Sequence, residues 1–310
     1  MDLVEGVLSG DPRAIARAIS MVEDGAEGLE ELSAGIFPHT GRAWTVGLTG
    51  SPGVGKSTLA GELVRATRER GRSVAVLAID PTSPFTGGAL LGDRVRMQAH
   101  ATDPAVFIRS MATRGHLGGM ALAAPEAVRI LDASGRDLIV VETVGVGQAE
   151  VDVAAATDTT LVVVAPGWGD HVQAAKAGIL EIADVFVVNK SDREGAEAAA
   201  RDLRQMIRMG PMAEWSPPVV ATAAASGEGI DDLMSAIDEH RAHLEETGRV
   251  TERRRLRLVR EVESLASEQL RERIREALGR DDELAGDLVE RRVDPYRAAA
   301  ILASRAPAAD

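Results

Sequence analysis

A glycine-rich segment between an apolar run and a helical stretch constrains the fold of this chain more than any other feature. Its residues are Gly50, Ser51, Pro52, Gly53, Val54, Gly55, Lys56, Ser57 and Thr58. They match the pattern GxxxxGK[ST], in which glycines let the backbone curl so that successive N–H groups face phosphate oxygens. The helix that follows directs its positive amino end to the same point. The segment therefore predicts a strand, a phosphate-binding loop and a helix, in that order.

Short apolar runs alternate with helical stretches on both sides of this glycine-rich loop. The predicted strands are Trp44–Thr49, Ser73–Ile79, Val106–Arg109, Leu138–Val141, Thr160–Ala165, Val185–Val188 and Val219–Thr222. The predicted helices include Lys56–Arg70, Pro125–Ala133, Arg193–Met209 and Ile230–His240. This alternation predicts an α/β fold of the P-loop NTPase class, with a mainly parallel sheet flanked by helices. Ligands of such sheets bind beyond the carboxyl ends of the strands.

Composition excludes several classes of function. The sequence has no cysteine, so disulfides, thiolate metal sites and cysteine nucleophiles are excluded. A formal net charge of −13 argues against a general nucleic-acid binder, which needs clustered positive charge. No basic segment leads into an apolar core at the N terminus, and no run of about 18 apolar residues occurs. We therefore expect a cytoplasmic protein with no membrane partner.

Lysine is scarce in this sequence. Of 35 basic residues only Lys56, Lys176 and Lys190 are lysine, and the others are arginine. On a solvated surface the two residues are nearly exchangeable, whereas a compact ammonium group at a specific site is not replaced by a planar guanidinium. The three lysines are therefore candidates for functional positions.

Oxygen-bearing side chains accompany the glycine-rich loop at the ends of predicted strands. Lys56 should contact the β and γ phosphates of a nucleotide, and Ser57 should offer its hydroxyl to Mg²⁺. Glu142 leaves the carboxyl end of its strand beside the loop and is the predicted Walker B carboxylate. Asp80 and Asp93 are further candidates to hold metal-bound water. Asp80 precedes a proline, so it equally fits a strand-ending turn.

The identity of the base is indicated by an NKxD pattern, residues 189–192, at the end of a predicted strand. The carboxylate of Asp192 can accept hydrogen bonds from guanine N1–H and the exocyclic amine, whereas adenine would leave it unpaired. Asn189 should brace the loop, and Lys190 should lay its aliphatic stem along the base. The pattern predicts that the chain binds GTP and GDP.

A second loop should close over the base. It begins with Ala223, Ala224 and Ala225, and one backbone N–H is expected to face guanine O6. Many guanine-binding proteins have a Ser-Ala pair here. In this sequence the pair is Ala223-Ala224, which removes a supporting serine hydroxyl.

Three parts of the chain are predicted. Residues 1–43 form an N-terminal helical extension, residues 44–245 a P-loop GTPase domain, and residues 246–310 a C-terminal helical extension. An arginine cluster at residues 253–260 lies among glutamates, which favours a solvated or subunit-facing helix surface over a nucleic-acid contact.

Several longer segments together resemble a known family. They are GLTGSPGVGKST, VLAIDPTSP, LLGDRVRM, VETVGVGQAEVDVA, APGWGDHVQAAKAGILEIADVFVVNKSD and SGEGIDDL. Over roughly residues 10–305 the chain resembles the methylmalonyl-CoA mutase-associated GTPases of the MeaB/ArgK type, which are metallochaperone-like P-loop GTPases.

This resemblance implies a site and a partner. It implies that Asp80, Asp93 and Glu142 are magnesium and switch carboxylates, and that a third switch lies around residues 169–177, where Lys176 is found. Gly145 and Gln148 fall in the switch that follows Glu142. The resemblance further implies a homodimer formed through the helical tail. The implied partner is an adenosylcobalamin-dependent acyl-CoA mutase, which the GTPase protects and whose cofactor loading it gates.

Three other functions stay open at this point. A nickel or zinc insertion GTPase is disfavoured because those proteins use cysteine ligands beside the switch. A kinase linked to amino-acid transport, an assignment attached to the ArgK name, is disfavoured by the NKxD pattern. A nucleotide-responsive scaffold without useful turnover is the third.

Overall fold

The computed structural model describes residues 2–81, 102–113, 119–143, 153, 155–167, 181–210 and 214–305. At residues 80, 81, 112, 113, 119–122, 304 and 305 it describes the backbone alone. The chain divides into two compact units, residues 1–257 and 258–310. The three-part organisation expected from the sequence stays a prediction.

A seven-stranded sheet forms the centre of the first unit. Its strands are β1 (Trp44–Thr49), β2 (Val74–Pro81), β3 (Val106–Thr113), β4 (Leu138–Thr143), β5 (Thr159–Val164), β6 (Val185–Asn189) and β7 (Val219–Thr222). The strand order is β3-β2-β4-β1-β5-β6-β7, and every neighbouring pair is parallel. Strands β1, β4, β5 and β6 are buried along their whole length, as expected for a parallel sheet covered on both faces. The predicted α/β fold is confirmed.

The helices cover the sheet and extend the chain at both ends. They are α1 (Leu3–Leu8), α2 (Pro12–Asp24), α3 (Leu29–Ile36), α4 (Lys56–Glu69), α5 (Gly119–Ala133), α6 (Ala196–Met209), α7 (Ile230–Glu246), α8 (Arg249–Gly279), α9 (Asp282–Val289) and α10 (Pro295–Arg305). Helices α4 and α7 pack on one face, while α1, α2, α3 and α5 pack on the other. Helix α6 packs beside β5 and β6. In the second unit, α9 and α10 enclose a small apolar core.

Local sequence explains where these helices begin and end. Helix α2 starts after Asp11, whose side chain accepts hydrogen bonds from the N–H groups of Arg13 and Ala14, and it ends at Gly25 in a left-handed conformation. Two predicted helix starts are wrong. Helix α6 begins at Ala196, after Gly195, and not at Arg193. The sequence pattern predicts that α5 starts at Pro125, yet the helix begins at Gly119 and contains Pro125 in its interior. The apolar face that α5 buries outweighs the one hydrogen bond that proline removes. No helix in the described part of the chain combines the length and apolar character of a membrane span.

Buried carboxylates form hydrogen bonds that join the amino ends of neighbouring sheet strands. Asp158 accepts the backbone N–H of Thr45 at 3.1 Å and so joins β5 to β1. Asp184 accepts the backbone N–H of Thr160 at 2.9 Å and joins β6 to β5. Both carboxylates lie at the end of the sheet opposite the glycine-rich loop.

Three arginines of α8 neutralise these two carboxylates. Arg254 donates to both oxygens of Asp158, at 3.1 and 2.8 Å, and Arg257 donates to the same carboxylate at 3.1 Å. Arg253 donates to both oxygens of Asp184, at 3.3 and 2.9 Å. We call these five residues the arginine clamp. The sequence interpretation of this arginine cluster as solvated or subunit-facing is wrong for Arg254 and Arg257, which are 24% and 19% exposed and pair with a buried carboxylate that is distant in sequence. Arg253 is 42% exposed, so it remains solvated while it pairs with Asp184.

The clamp keeps its carboxylates ionised. Burial alone would raise the pKa of Asp158, but hydrogen bonds and charges from Arg254 and Arg257 hold it below its usual range. Burial also acts to raise the pKa of Asp184, and its contacts with His240 and Arg253 lower it overall. Both carboxylates therefore carry a full negative charge at neutral pH.

A chain of polar side chains continues from the clamp into the sheet. The indole N–H of Trp44 donates to the Thr159 hydroxyl at 3.0 Å, and that hydroxyl lies 2.9 Å from Nδ1 of His240. The hydroxyl therefore accepts the indole proton, because the indole can only donate. His240 Nε2 lies 3.2 Å from Asp184 Oδ1, and Trp215 packs against the ring with centroids 4.9 Å apart. The arrangement is buried, since His240 is 1% exposed.

Candidate nucleotide-binding site

The glycine-rich loop follows β1 and requires glycine where the chain passes closest to its neighbours. Gly50 has φ +134°, and a Cβ there would lie 2.1 Å from the carbonyl oxygen of Val163 on β5. Gly55 has φ +99°, and its Cβ would lie 2.4 Å from Nδ2 of Asn189. A side chain at Gly50 would collide with the backbone of β5, and one at Gly55 would displace the Asn189 amide from its place beside the loop.

The ammonium group of Lys56 lies within the curve of this loop. Lys56 is the first residue of α4 and is 5% exposed. Its Nζ donates to the carbonyl oxygens of Gly50 at 2.6 Å and Ser51 at 3.1 Å. A positive charge thus lies beside the amino end of α4, where the helix dipole also favours an anion.

Ser57 and Glu142 meet beside the loop. The Ser57 hydroxyl donates to Oε1 of Glu142 at 2.7 Å, and both side chains are buried. Glu142 lies next to Ala78 in the β4–β2 register, so the backbone of Asp80 comes two residues further along the neighbouring strand. Hydroxyl and carboxylate oxygens are the donors that Mg²⁺ prefers, so these residues fit that ion.

Other predicted magnesium and switch residues lie outside the described part of the chain. They are Asp93, Gly145, Gln148 and Lys176, together with the side chain of Asp80. Among the residues that the structure describes, no group of three or more His, Cys, Asp or Glu side chains gathers around a common point.

Asn189, at the end of β6, connects the NKSD turn (residues 189–192) to the glycine-rich loop. Its Nδ2 donates to the carbonyl oxygen of Val54 at 2.8 Å, and its Oδ1 accepts the backbone N–H of Ala224 at 3.1 Å. Lys190 reaches the same glycine-rich loop, because its Nζ donates to the carbonyl oxygen of Gly53 at 2.6 Å. Asp192 is exposed, so its carboxylate is available to a base.

The loop after β7 lies next to this turn. The N–H of Ala223 donates to the carbonyl oxygen of Glu228 at 3.0 Å, which closes the loop on itself. Ala224 is buried and contacts Asn189, while Ala225 is exposed at the loop's tip. The loop, the NKSD turn and the glycine-rich loop therefore converge at the carboxyl edge of the sheet.

Sequence reasoning missed one residue of this arrangement. Thr222, the last residue of β7, is 0% exposed, and its hydroxyl donates to Oδ1 of Asn189 at 3.2 Å. Thr222 and Asn189 are 33 positions apart in the chain, so no short motif contains both. The position of Thr222 directly before the alanines was the one sequence feature that could have indicated its role.

A parallel sheet with a GxxxxGK[ST] loop after its first strand and an NKxD turn after β6 defines a P-loop protein of the guanine-binding class. The sequence supports this independently. Residues 15–278 match the family described as "Methylmalonyl Co-A mutase-associated GTPase MeaB", and the chain belongs to this family of GTPases.

Individual relatives agree with this assignment. A protein of Pyrococcus abyssi is 49% identical over 304 residues, which cover 96% of this chain and 94% of that protein. The Caenorhabditis elegans protein named "Methylmalonic aciduria type A homolog, mitochondrial" is 35% identical over 272 residues, covering 81% of this chain and 68% of that protein. A solved structure described as "LAO/AO transport system kinase" is 25% identical with a TM-score of 0.71, covering 97% of this chain and 95% of that one.

Proposed function

We propose that this GTPase uses Mg²⁺-dependent GTP hydrolysis to gate adenosylcobalamin loading onto an acyl-CoA mutase of the methylmalonyl-CoA mutase type, and that it protects that enzyme. We place this activity in the cytoplasm. The observation that carries the proposal is the joining of the glycine-rich loop to the NKSD turn through Asn189, in a chain of the mutase-associated family.

Different residues of the site bind the phosphates, the base and the metal ion of the nucleotide. Backbone N–H groups of the glycine-rich loop, other than at Pro52, and the ammonium of Lys56 bind the phosphates, and Asp192 pairs with guanine N1–H and the exocyclic amine. Ser57 and Glu142 would hold Mg²⁺ with help from Asp80 and Asp93. The bound ion would neutralise charge that develops on the phosphate oxygens during transfer.

The partner is proposed from the family description and from one relative. The family is described as mutase-associated, and the Caenorhabditis elegans relative is named for methylmalonic aciduria. We assign the signal to the partner to the segments that contain Gly145, Gln148 and Lys176. In this scheme Lys176 forms an ion pair that depends on the bound nucleotide. Unchanged turnover and unchanged activation by the mutase in Lys176→Ala would remove that role.

We also propose that two chains associate through α8. Six of its apolar side chains are each at least 39% exposed: Leu256, Leu258, Val259, Val262, Leu265 and Leu270. At about 100° per residue they fall within about half of the helix circumference, which gives one continuous apolar stripe. A stripe of this kind on a helix marks a surface that associates with another protein.

Sedimentation equilibrium tests this association. Val262→Asp places a charge within the stripe and should convert the dimer to a monomer. Ser264→Asp introduces the same charge about 160° away around the helix and should leave the dimer intact. A wild-type protein that sediments as a monomer at all concentrations would contradict the dimer.

Hydrolysis assays test the main proposal. GTP and ATP turnover would be measured at matched Mg²⁺, with the protein alone and with an adenosylcobalamin-dependent mutase. We expect GTP-selective turnover that rises when the mutase is added. ATP preference, or indifference to every such mutase, would contradict the proposal.

One observation favours a second candidate, because a similar solved structure is described as a transport system kinase. Transfer of labelled γ-phosphate to arginine or to a binding protein would support that reading and count against the mutase partner. Tight binding in a nickel or zinc titration would instead support a metal-insertion GTPase.

A further inference from the structure

A glycine in the middle of β1 marks a close approach of another part of the chain. Gly47 lies in a buried strand and its φ is outside the left-handed region, so any residue could adopt its backbone conformation. Glycine inside a strand weakens it, and it often marks a place where another part of the molecule comes close. A Cβ on Gly47 would lie 2.6 Å from Val153 Cγ1 and 2.6 Å from Thr157 Oγ1. Glycine is therefore required at this position by space alone.

The neighbour that occupies this space is the stretch of chain that leads into β5. We call its described residues, 153 and 155–158, the return segment. Val153 and Thr157 are 1% and 3% exposed, and the Thr157 hydroxyl donates to the carbonyl oxygen of Val153 at 2.9 Å. Asp158 ends the segment, and its N–H donates to the Thr45 hydroxyl on β1 at 2.7 Å. The return segment is thus fixed to β1 at two points, by a hydrogen bond at Thr45 and by packing at Gly47.

The return segment also determines where the chain that carries Glu142 comes back to the sheet. In the sequence, residues 144–152 connect the end of β4 to Val153. Gly47 lies opposite Val141 in the β1–β4 register, and Val141 is the residue before Glu142. Val141 and Val153 belong to the same buried apolar cluster on this face of the sheet. Gly47 therefore lets Val153 pack beside the end of β4, close to the predicted Walker B carboxylate.

The groups proposed to bind the phosphates lie on the other face of β1. Leu48, the residue after Gly47, belongs to the apolar cluster that contains α4. Lys56 and Ser57 are the first residues of that helix. Successive side chains of a strand point to opposite faces, so the return segment and α4 contact opposite faces of β1. A change at Gly47 should therefore move the return segment and leave the phosphate contacts in place.

We propose that Gly47 is a positioning residue for GTP hydrolysis, acting through the return segment on the part of the chain that carries Glu142. The proposal rests on the proposed role of Glu142 at the metal ion. It assigns Gly47 no contact with the nucleotide or the ion. Relief of two contacts at 2.6 Å requires a movement of about 1 Å, because non-bonded heavy atoms pack at about 3.5–4 Å. A displacement of about 1 Å at a reacting group can lower a rate about a hundredfold.

Gly47→Ala in the full chain tests this assignment. We expect kcat for GTP to fall about tenfold or more, while the affinity for GDP stays within about twofold of the wild type. Wild-type kcat in this variant would overturn the proposal. A parallel loss of kcat and GDP affinity would also overturn it, because it would indicate a general disturbance of the fold. The matched control is Gly286→Ala, which adds a Cβ with no atom within 4 Å and should leave kcat unchanged.

A compensating change separates positioning from loss of stability. The pair Val153→Ala and Thr157→Ala removes both atoms that a methyl group at residue 47 would meet. Combined with Gly47→Ala, this pair should return kcat to within about threefold of the wild type, because the added methyl then fills the space that the pair vacates. A triple variant with kcat as low as that of Gly47→Ala would overturn the proposal.

A comparison of the pair with the triple variant does not require Gly47→Ala to fold by itself. The pair without Gly47→Ala leaves the return segment loosely packed, so its kcat should be lower than that of the triple variant, and equal values would overturn the proposal. A wild-type chain without GTP turnover would overturn the proposed function together with this inference. Wild-type turnover that all of these variants retain would overturn this inference alone.

Discussion

Replacement of Arg254 by glutamine is predicted to destabilise the first unit strongly. The guanidinium donates twice to Asp158 and also to the carbonyl oxygens of Gly41 and Ala43, at 2.5 and 2.9 Å. Asp158 is 1% exposed, so its charge has little access to water. The substitution removes the main partner of a buried negative charge, which is one of the few changes with a large expected effect on the free energy of unfolding.

The size of the expected loss in the free energy of unfolding depends on the hydrogen-bond partners that Asp158 retains in the variant. Breaking a buried ion pair by removing one partner destabilises a protein by about 3–5 kcal/mol. Arg257 still donates to Asp158 at 3.1 Å, and the N–H of Thr45 still donates at 3.1 Å. The remaining contacts place the expected loss at the lower end, about 3 kcal/mol.

Urea denaturation followed by tryptophan fluorescence measures this loss, because Trp44 and Trp215 both lie in the network around the clamp. The matched control is Arg255→Gln, which removes an exposed arginine paired with Glu252 and should leave the unfolding midpoint unchanged. Equal midpoints for the Arg254 variant and the wild type would refute the reasoning.

The pH dependence of the stability difference between the wild type and Arg254→Gln gives a second test of the ion pair. The pKa of Asp158 is lowered in the folded chain, so its contribution to stability is present above its unfolded pKa, about 3.9, and is lost as the pH falls through the folded value. The wild-type advantage over Arg254→Gln should therefore be largest near neutral pH and shrink below about pH 4. A difference that grows in acid would contradict this sign.

Three further predictions concern the nucleotide site. Gly55→Ala should abolish GDP binding measured by fluorescence titration, because its Cβ would meet Asn189. Gly53→Ala should bind GDP better than Gly55→Ala, because no atom lies within 4 Å of a Cβ at residue 53. Equal affinities of the two variants would contradict the steric argument. Glu142→Gln should lower GTP turnover on the order of a hundredfold and raise the Mg²⁺ concentration needed for half-maximal activity. An unchanged Mg²⁺ dependence would show that Glu142 does not belong to the metal site. Asp192→Asn should shift binding from guanine towards xanthine nucleotides, because an amide can donate to the C2 carbonyl of xanthine; retained guanine preference in competition assays would exclude this residue from base recognition.

The sheet was predictable from the sequence because each strand is a short apolar run in a chain that alternates strands with helices. Burial on both faces leaves an apolar pattern that needs no tertiary information. The start of α5 was not predictable in this way. Proline favours the first turn of a helix, so Pro125 indicated a start where the structure has an interior position. Packing of the α5 apolar face against the sheet and α2 overrides that local preference.

Motifs revealed the site only where its residues are close together in the chain. The glycine-rich loop and the NKSD turn are each a short continuous segment, so their residue spacing is visible in the sequence. The arginine clamp has no such spacing, since Arg253 lies 69 residues from Asp184 and Arg254 lies 96 residues from Asp158. An arginine beside glutamates suggests a solvated surface, and only the fold brings it to a buried carboxylate. The roles assigned to the site residues stay predictions until nucleotide binding is measured.

The clamp also determines where this protein can be divided experimentally. A shortened chain that ended at Glu246, after α7, would contain every residue of the nucleotide site and would still lack Arg253, Arg254 and Arg257. Asp158 and Asp184 would then remain in the interior without their arginine partners. A fragment designed to isolate the GTPase should therefore extend through the first turns of α8, past Arg257, and loss of activity on cutting before them would report on folding rather than on catalysis.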